Sequence, residues 1–262
     1  MNPDLRIVSL VPSITELLYD LGLEEQVVGI TKFCVHPDHW FRSKTRIGGT
    51  KNIAVDKIRS LSPSIVIASK EENIKEQVDA ITSFAEVLLT DIKNLDDALT
   101  MIQLIGEKTN TSEKAGSIIQ KIKTNFANLL IPILDRAGKE NLITPNPKLR
   151  ACYLIWKDPY MTVGADTFIH DMLSHCGFEN VFGNQLRYPV ITVDDIRKAN
   201  PSHLFLSSEP YPFSEKHIEA LQKEFPITNI QFVDGEYFSW YGSRLIDAAN
   251  YFKTLIHKST VL

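Results

Sequence analysis

Two stretches of fourteen residues, 138 positions apart, match closely enough to indicate an internal duplication. Residues 58–71 and 196–209 share six identities, and in the first stretch these are Ile58, Arg59, Pro63, Ser64, Ser69 and Glu71. Each stretch reads as the end of a helix, a turn at proline and an apolar strand. Because a repeated unit specifies similar folds in both copies, the sequence predicts two related lobes with a cleft between them.

The order of the predicted elements makes each lobe an α/β structure. A strand over residues 6–11 leads to a helix in which Ser13 is the expected N-cap and Glu16 completes a capping box. Gly22 ends that helix, as Gly177 ends a helix over 168–175. Continuous apolar runs such as Ile65–Ala68 are typical of buried parallel strands. The sequence therefore predicts two Rossmann-like lobes.

A helical pattern from about residue 95 to residue 136 connects the two lobes. Its part from Ser112 to Arg136 would extend about 37 Å, enough to run along two small domains, although Pro132 is expected to kink it or end it early. We interpret it as a single long backbone helix. The expected divisions are a first lobe over 1–107, the backbone helix over 108–137 and a second lobe over 138–262.

Composition excludes several functions. The net charge is −4 and the basic residues are interspersed with acidic ones, so we expect no nucleic-acid binding. Three cysteines without a CxxC pair indicate neither a disulfide framework nor a zinc knuckle. The first residues lack the features of a signal peptide, and no apolar run is long enough to span a membrane. The protein is expected to be cytoplasmic if Met1 is the native start, and periplasmic or membrane-anchored outside the cytoplasm if a leader was removed.

Common catalytic motifs are absent from the chain. It contains no GxGxxG, GxxxxGK[ST], HExxH or GxSxG. Cys34, His36 and His39 lie close together in sequence, and a metal site there is the minor alternative to a packed loop. No catalytic residue and no metal ligand is predicted.

Aromatic residues after the predicted strands indicate a ligand site. In open α/β sheets the ligand crevice lies outside the carboxyl ends of the strands. Together these residues favour a large, flat and partly apolar ligand, although each of them could instead cap the core of its own lobe. They are Phe33, Trp40, Trp156, Tyr160, Phe238, Trp240 and Tyr241. The segment over 32–50, which carries the first two, has no obvious counterpart in the second lobe.

Acidic residues follow both repeated strands at equivalent positions. Glu71 and Glu72 follow the first, with Glu76 one helical turn later, and Glu209 and Glu215 follow the second. Solvated surface charge is one interpretation. The other is that these carboxylates dock onto a basic partner of matching symmetry.

The chain resembles the helical-backbone class of ABC-importer substrate-binding proteins, which bind cobalamin, siderophore-iron or haem, and it is most similar to the cobalamin-binding members. The resemblance is carried by residues 6–16, by Phe33-Cys34-Val35-His36-Pro37, by Gly48-Gly49, by 209–213 and by the closing segment 239–244. It implies a monomer with two α/β lobes on one long helix and a ligand held between them. It also implies that one carboxylate from each lobe engages an ABC transporter permease.

The resemblance also implies roles for single residues. Carried over, the ligand would contact Ser13, Phe33, Trp40 and Gly49 on one wall and Trp156, Tyr160, Trp240 and Arg244 on the other. Glu72 or Glu76 and Glu209 or Glu215 would dock the permease. The protein is expected to be a carrier of a cobalamin-like corrinoid or iron chelate with no intrinsic cofactor, and not an enzyme. The alternatives are a cytosolic corrinoid or metal-chelate handling protein or enzyme on the same fold, or a purely structural interaction module.

Overall fold

The computed structural model describes residues 4–129 and 149–260. The chain divides into two compact units. The first unit consists of Met1–Ile92, Asp96–Lys121 and Trp240–Leu245, and the second consists of Lys93–Leu95, Ile122–Ser239 and Ile246–Leu262. In the described parts of the chain, none of the helices has the length and apolar character needed to cross a membrane.

The first unit is built on a five-stranded parallel sheet with the strand order β3-β2-β1-β4-β5. Helices connect the strands, as the alternation of patterns in the sequence predicted. In chain order its elements are β1 (Ile7–Ser9), α1 (Pro12–Asp20), β2 (Val27–Ile30), α2 (Asp38–Ser43), β3 (Thr45–Arg46), α3 (Val55–Ser60), β4 (Ile65–Ser69), α4 (Lys75–Ile81) and β5 (Glu86–Thr90).

Two helices follow this sheet in the chain, with a short turn between them. They are α5 (Leu95–Lys108) and α6 (Ser112–Ala127). Asn110 separates them with a left-handed backbone at φ 57°, a conformation that asparagine tolerates well. The helical run predicted from about residue 95 is therefore interrupted before Ser112, and α6 continues across the boundary between the two units at Lys121. The predicted continuation to Arg136 and Pro132 lies outside the described residues, and the predicted divisions at 107 and 137 stay a prediction.

The second unit has a four-stranded parallel sheet with the order β11-β10-β6-β8. β7 and β9 form a separate two-stranded antiparallel sheet. The elements are β6 (Leu149–Leu154), β7 (Tyr160–Met161), α7 (Phe168–His175), β8 (Phe178–Asn180), β9 (Val190–Ile191), α8 (Val193–Ala199), β10 (His203–Ser207), α9 (Glu215–Glu224), β11 (Asn229–Val233), α10 (Gly235–Ser239) and α11 (Leu245–Thr260).

The two sheets share one strand order. The order β2-β1-β4-β5 in the first unit corresponds to β8-β6-β10-β11 in the second, and the repeated stretches supply the equivalent pairs α3 with β4 and α8 with β10. The two-lobed α/β fold predicted from the duplication is therefore confirmed. The first unit adds one strand, β3, from the segment over 32–50 that the second unit lacks.

The repeated residues perform the same structural tasks in both units. Ile58 and Ile196 are fully buried beneath their sheets. Ser64 Oγ accepts the backbone N–H of Arg6 at 2.9 Å, and Ser202 Oγ accepts that of Arg150 at 3.0 Å. The helix before each strand thus ends in the same way, because the same side chain ties its turn to the neighbouring strand.

The start of α1 differs from the sequence prediction. Ser13 is not an N-cap, since the helix begins at Pro12 with Val11 in the capping position and without a side-chain capping bond. Proline is favoured at the first helical position because its fixed φ suits the helix and its missing N–H needs no partner. Glu16 consequently has no capping role and is available for another contact.

Candidate functional site

The carboxyl edge of the first sheet is the place where its topology favours a ligand. The strand order reverses between β1 and β4, and open α/β sheets bind ligands outside such a switch point. Ser13 follows β1, and Ser69 ends β4. Tyr241 Oη donates a hydrogen bond to Ser69 Oγ over 3.0 Å, which brings residues 240–245 to this edge.

Two serine hydroxyls at this edge are buried without a hydrogen-bond partner among the described residues. They belong to Ser13 and Ser243. Gly242, which precedes Ser243, has φ +152°, and a Cβ built on it would be 3.0 Å from the carbonyl oxygen of Ser13. Because buried hydroxyls normally have partners, these two provide hydrogen-bonding capacity that the protein itself does not use.

Arg244 and Glu16 form a two-pronged ion pair at the same edge. Arg244 Nε and Nη2 donate to the two carboxylate oxygens of Glu16 at 2.9 and 2.6 Å. Burial raises the pKa of Glu16, and the guanidinium of Arg244 opposes that rise. The guanidinium also lies 4.7 Å from the ring centroid of Trp240, against whose edge His36 packs. The predicted ligand residues Trp240 and Arg244 are thus brought together with Ser13.

The segment over 32–50 is only partly irregular, since α2 and β3 lie within it. Phe33 is 50% exposed, and its ring lies against Gly49, where an added Cβ would be 3.2 Å away. Trp40 is fully buried in α2, beneath Tyr19 and Lys44. The structure therefore exposes Phe33, buries Gly49 beneath it, and removes Trp40 from any surface that a ligand could reach.

The cysteine and histidines of this segment do not form a metal site. Among the described residues, no cluster of three or more His, Cys, Asp or Glu side chains is arranged to hold a metal ion. Cys34 is buried, and its Sγ lies 3.0 Å from Thr15 Oγ1 and 3.1 Å from Thr31 Oγ1. Burial raises the pKa of the Cys34 thiol, so the neutral form is favoured over the thiolate that metals and electrophiles require.

The second unit presents aromatic rings at the corresponding edge of its sheet. Trp156, just after β6, is 40% exposed, and Tyr211, after β10, packs edge-on against it with ring centroids 5.5 Å apart. Tyr160 in β7 is partly buried, and burial raises the pKa of its phenol. Sequence reasoning missed Tyr211. The available signal was its position two residues after Glu209, the last residue of the repeated stretch.

The acidic residues after the two repeated strands divide by exposure. Glu76 lies in the first turn of α4 and Glu215 in the first turn of α9, and both are exposed. Glu72 and Glu209 are partly buried, and Glu209 accepts a hydrogen bond from Ser239 Oγ at 2.7 Å. The exposed pair occupies equivalent helices in the two units.

Comparison with known proteins identifies a family. The sequence model described as "Periplasmic binding protein" matches residues 7–233. An uncharacterized ABC transporter substrate-binding lipoprotein of Bacillus subtilis (strain 168), YvrC, is 29% identical over 202 residues, which is 75% of this chain and 61% of that protein. The chain thus spans less than two thirds of the length of this relative.

Two further proteins are similar along most of the chain. The Vitamin B12-binding protein of Vibrio vulnificus (strain CMCP6) is 24% identical over 77% of this chain and 71% of its own length. The solved structure of the periplasmic heme-binding protein RhuT from Roseiflexus sp. RS-1 superposes with a TM-score of 0.77 at 19% identity, covering 97% of this chain and 98% of that one. The second likeness shows a shared fold.

Proposed function

This chain belongs to the periplasmic binding protein family, and on that premise we propose that it is the substrate-binding protein of an ABC importer. The family consists of binding proteins, and the relative from Bacillus subtilis is named as an ABC transporter substrate-binding protein. The observation that carries the proposal is the placement of exposed aromatic rings at the carboxyl edge of both parallel sheets, Phe33 in one unit and Trp156 with Tyr211 in the other.

The ligand we propose is a large metal chelate with a flat face, either a cobalamin-like corrinoid or an iron chelate. Aromatic rings supply area for stacking against such a face, and the unpartnered hydroxyls of Ser13 and Ser243 supply hydrogen bonds to its polar rim. The names of similar proteins, one for vitamin B12 and one for heme, support the same class. The ligand-contacting residues we propose in the first unit are Ser13, Phe33, Gly49, Trp240 and Arg244. Those we propose in the second unit are Trp156, Tyr160 and Tyr211.

Titration with candidate ligands tests the proposal. Cobinamide, cobalamin, haemin and ferric siderophores are added while tryptophan fluorescence is followed, and at least one of them is expected to bind. Trp156→Ala should weaken that binding about tenfold, because one aromatic contact is worth roughly 1 kcal/mol beyond the area it buries. Ile227→Ala, which removes an exposed apolar side chain before the amino end of β11, is the control. No binding by any of these ligands would refute the proposed function.

For permease docking we propose Glu76 and Glu215 rather than Glu72 and Glu209. Both are exposed at the first turn of their helix, and the helices are equivalent in the two units. Carboxylates at such symmetric positions suit a partner that presents two basic patches. Glu209 is held by Ser239 and is therefore assigned a structural task within its unit.

We also propose that the protein works outside the cytoplasm, as delivery to an importer requires. The word lipoprotein in the name of the Bacillus subtilis relative supports this location. Fractionation of cells that express the complete native gene tests it. Recovery of all the protein in the cytoplasmic fraction would contradict extracytoplasmic delivery and favour the alternative of a cytosolic protein that handles corrinoids or metal chelates.

A further inference from the structure

The loop that carries Gly49 is fastened to the start of α4 by two side-chain amides. Asn73 Nδ2 donates to the carbonyl oxygen of Thr50 at 3.0 Å. Gln77 Oε1 accepts the backbone N–H of Ile53 at 3.0 Å, and its Nε2 lies 3.3 Å from the carbonyl oxygen of Lys51. We call Asn73 and Gln77 the loop clamp.

The loop clamp is itself held in place from the sheet side. Asn73 is buried, and its Oδ1 accepts the backbone N–H of Ser69, the last residue of β4, at 2.8 Å. A further bond crosses in the opposite direction, from Lys51 Nζ to the carbonyl oxygen of Glu71 at 2.9 Å. Four hydrogen bonds therefore join residues 50–53 to Glu71, Asn73 and Gln77, and a displacement of one segment is resisted by the other.

The two fastened segments carry different proposed tasks. On one side, the ring of Phe33 rests on Gly49, immediately before the clamped residues. On the other side, Glu76 precedes Gln77 in the first turn of α4. Nothing equivalent is found in the described part of the second unit, where Ser208 and Glu209 bond to α10 through Gly235 and Ser239 instead.

We propose that Asn73 and Gln77 are positioning residues that couple ligand contact at Phe33 and Gly49 to the docking carboxylate Glu76. The coupling is confined to the first unit, because the described part of the second unit has no counterpart of the loop that carries Gly49. This inference rests on the proposed function, which assigns ligand contact to Phe33 and Gly49 and docking to Glu76. The contacts that carry it are hydrogen bonds inside one unit.

An aromatic label at position 33 tests the coupling without knowledge of the ligand. The three native cysteines are buried, so Phe33→Cys is the accessible thiol among the described residues and reacts selectively with pyrene maleimide. The label is expected to shift amide hydrogen-exchange rates in α4 about fivefold, at the lower end of usual coupling strengths, while α9 stays unchanged. Gln77→Met, which keeps the length of the side chain but neither hydrogen bond, is expected to abolish the shift.

Gln103→Met is the matched control, since Gln103 is an exposed glutamine of α5 in the same unit that bonds only to Glu107 among the described contacts. It should leave the shift in α4 intact. The proposal is overturned if the label changes the exchange rates of α4 and α9 equally or changes neither. It is also overturned if the change in α4 is just as large in Gln77→Met. A second variant, Asn73→Asp, keeps the acceptor for Ser69 and removes the donor to Thr50, and it should weaken the shift without unfolding β4.

The ligand titration and the labelling experiment fail separately. If no candidate ligand binds while the label shifts α4 through Gln77, the proposed function falls and the coupling stands. If a ligand binds but neither the ligand nor the label changes exchange in α4, the coupling falls and the binding function stands.

Discussion

The role of a single residue in this protein depends on partners far away in the chain as much as on its neighbours in sequence. Glu16 has the spacing of a capping box, yet its carboxylate pairs with Arg244, which lies 228 positions further along the chain. His217 shows the opposite case, because a local contact fixes its protonation state. Its Nδ1 accepts the backbone N–H of Ser214 at 2.8 Å at the start of α9.

This contact of His217 predicts a loss of stability in mild acid. Burial, followed by the positive charges of Lys216 and Lys157, lowers the pKa of His217, against a smaller opposing effect of Asp158. The folded state therefore binds fewer protons than the unfolded state, in which the pKa is about 6.5, so stability present above that pH is lost as the pH falls below it. A protonated ring also has no acceptor for Ser214.

Urea unfolding at pH 7.5 and pH 5.5 measures this effect. His217→Gln keeps an acceptor at the same helical position without a titrating group, so the variant should lose less stability between the two pH values than the wild type. The lost cap is worth about 1 kcal/mol. Equal losses in both proteins would show that His217 is not responsible.

At the scale of elements, the two units repeat both their strands and the way their helices end. Gly22 after α1 and Gly177 after α7 both have φ +78°, and Ser62 and Asn200, 138 positions apart, have φ 46° and 48° before their prolines. Each pair reverses the chain between a helix and the next strand. The sequence predicted the two glycine stops, since glycine is favoured in left-handed backbone after a helix.

Alanine substitutions at these glycines test the importance of the helix ends. Gly177→Ala should lower the free energy of unfolding by about 1–2 kcal/mol, the usual cost of a left-handed residue with a Cβ. Gly22→Ala should cost at least as much, because its Cβ would also displace Lys114 Nζ, which donates to the carbonyl oxygen of Leu21 at 3.0 Å.

The control for both is Gly116→Ala inside α6, where an added Cβ meets nothing within 4 Å. It should raise stability by about 0.5–1 kcal/mol, because alanine is the better helix former. Chemical denaturation of the three variants gives these values. A Gly177→Ala variant as stable as the wild type would contradict the argument from the backbone.

At the scale of the whole molecule, the duplicated elements and the segment over 32–50 have different proposed roles, docking and ligand contact. The shared strand order places Glu76 and Glu215 on equivalent helices, which suits a symmetric permease. The segment over 32–50 belongs to the first unit alone and carries Phe33, which suits a ligand. The equivalent helices thus correspond to proposed docking, and the segment over 32–50 adds Phe33 to the proposed ligand contacts that Trp156 and Tyr211 make in the second unit.

Charge reversal at the two exposed carboxylates tests the docking assignment. The double variant Glu76→Lys with Glu215→Lys should weaken binding to the detergent-solubilised importer by about tenfold or more, because like charges would then face each other. Ligand affinity should be unchanged. Glu219→Lys, one turn further along α9 and also exposed, is the control. Unaltered importer binding by the double variant would move the docking role to other residues.

The sequence by itself determined the fold class, the duplicated helix–proline–strand unit and the bounds of α7, because periodicity and backbone preferences act over a few neighbouring residues. It did not distinguish buried Trp40 from exposed Trp156, pair Glu16 with Arg244, or show that Asn73 and Gln77 hold residues 50–53. These features depend on which segments meet in space. Only the tertiary structure decides that, since the same side chain packs, pairs or faces solvent according to what the rest of the chain places beside it.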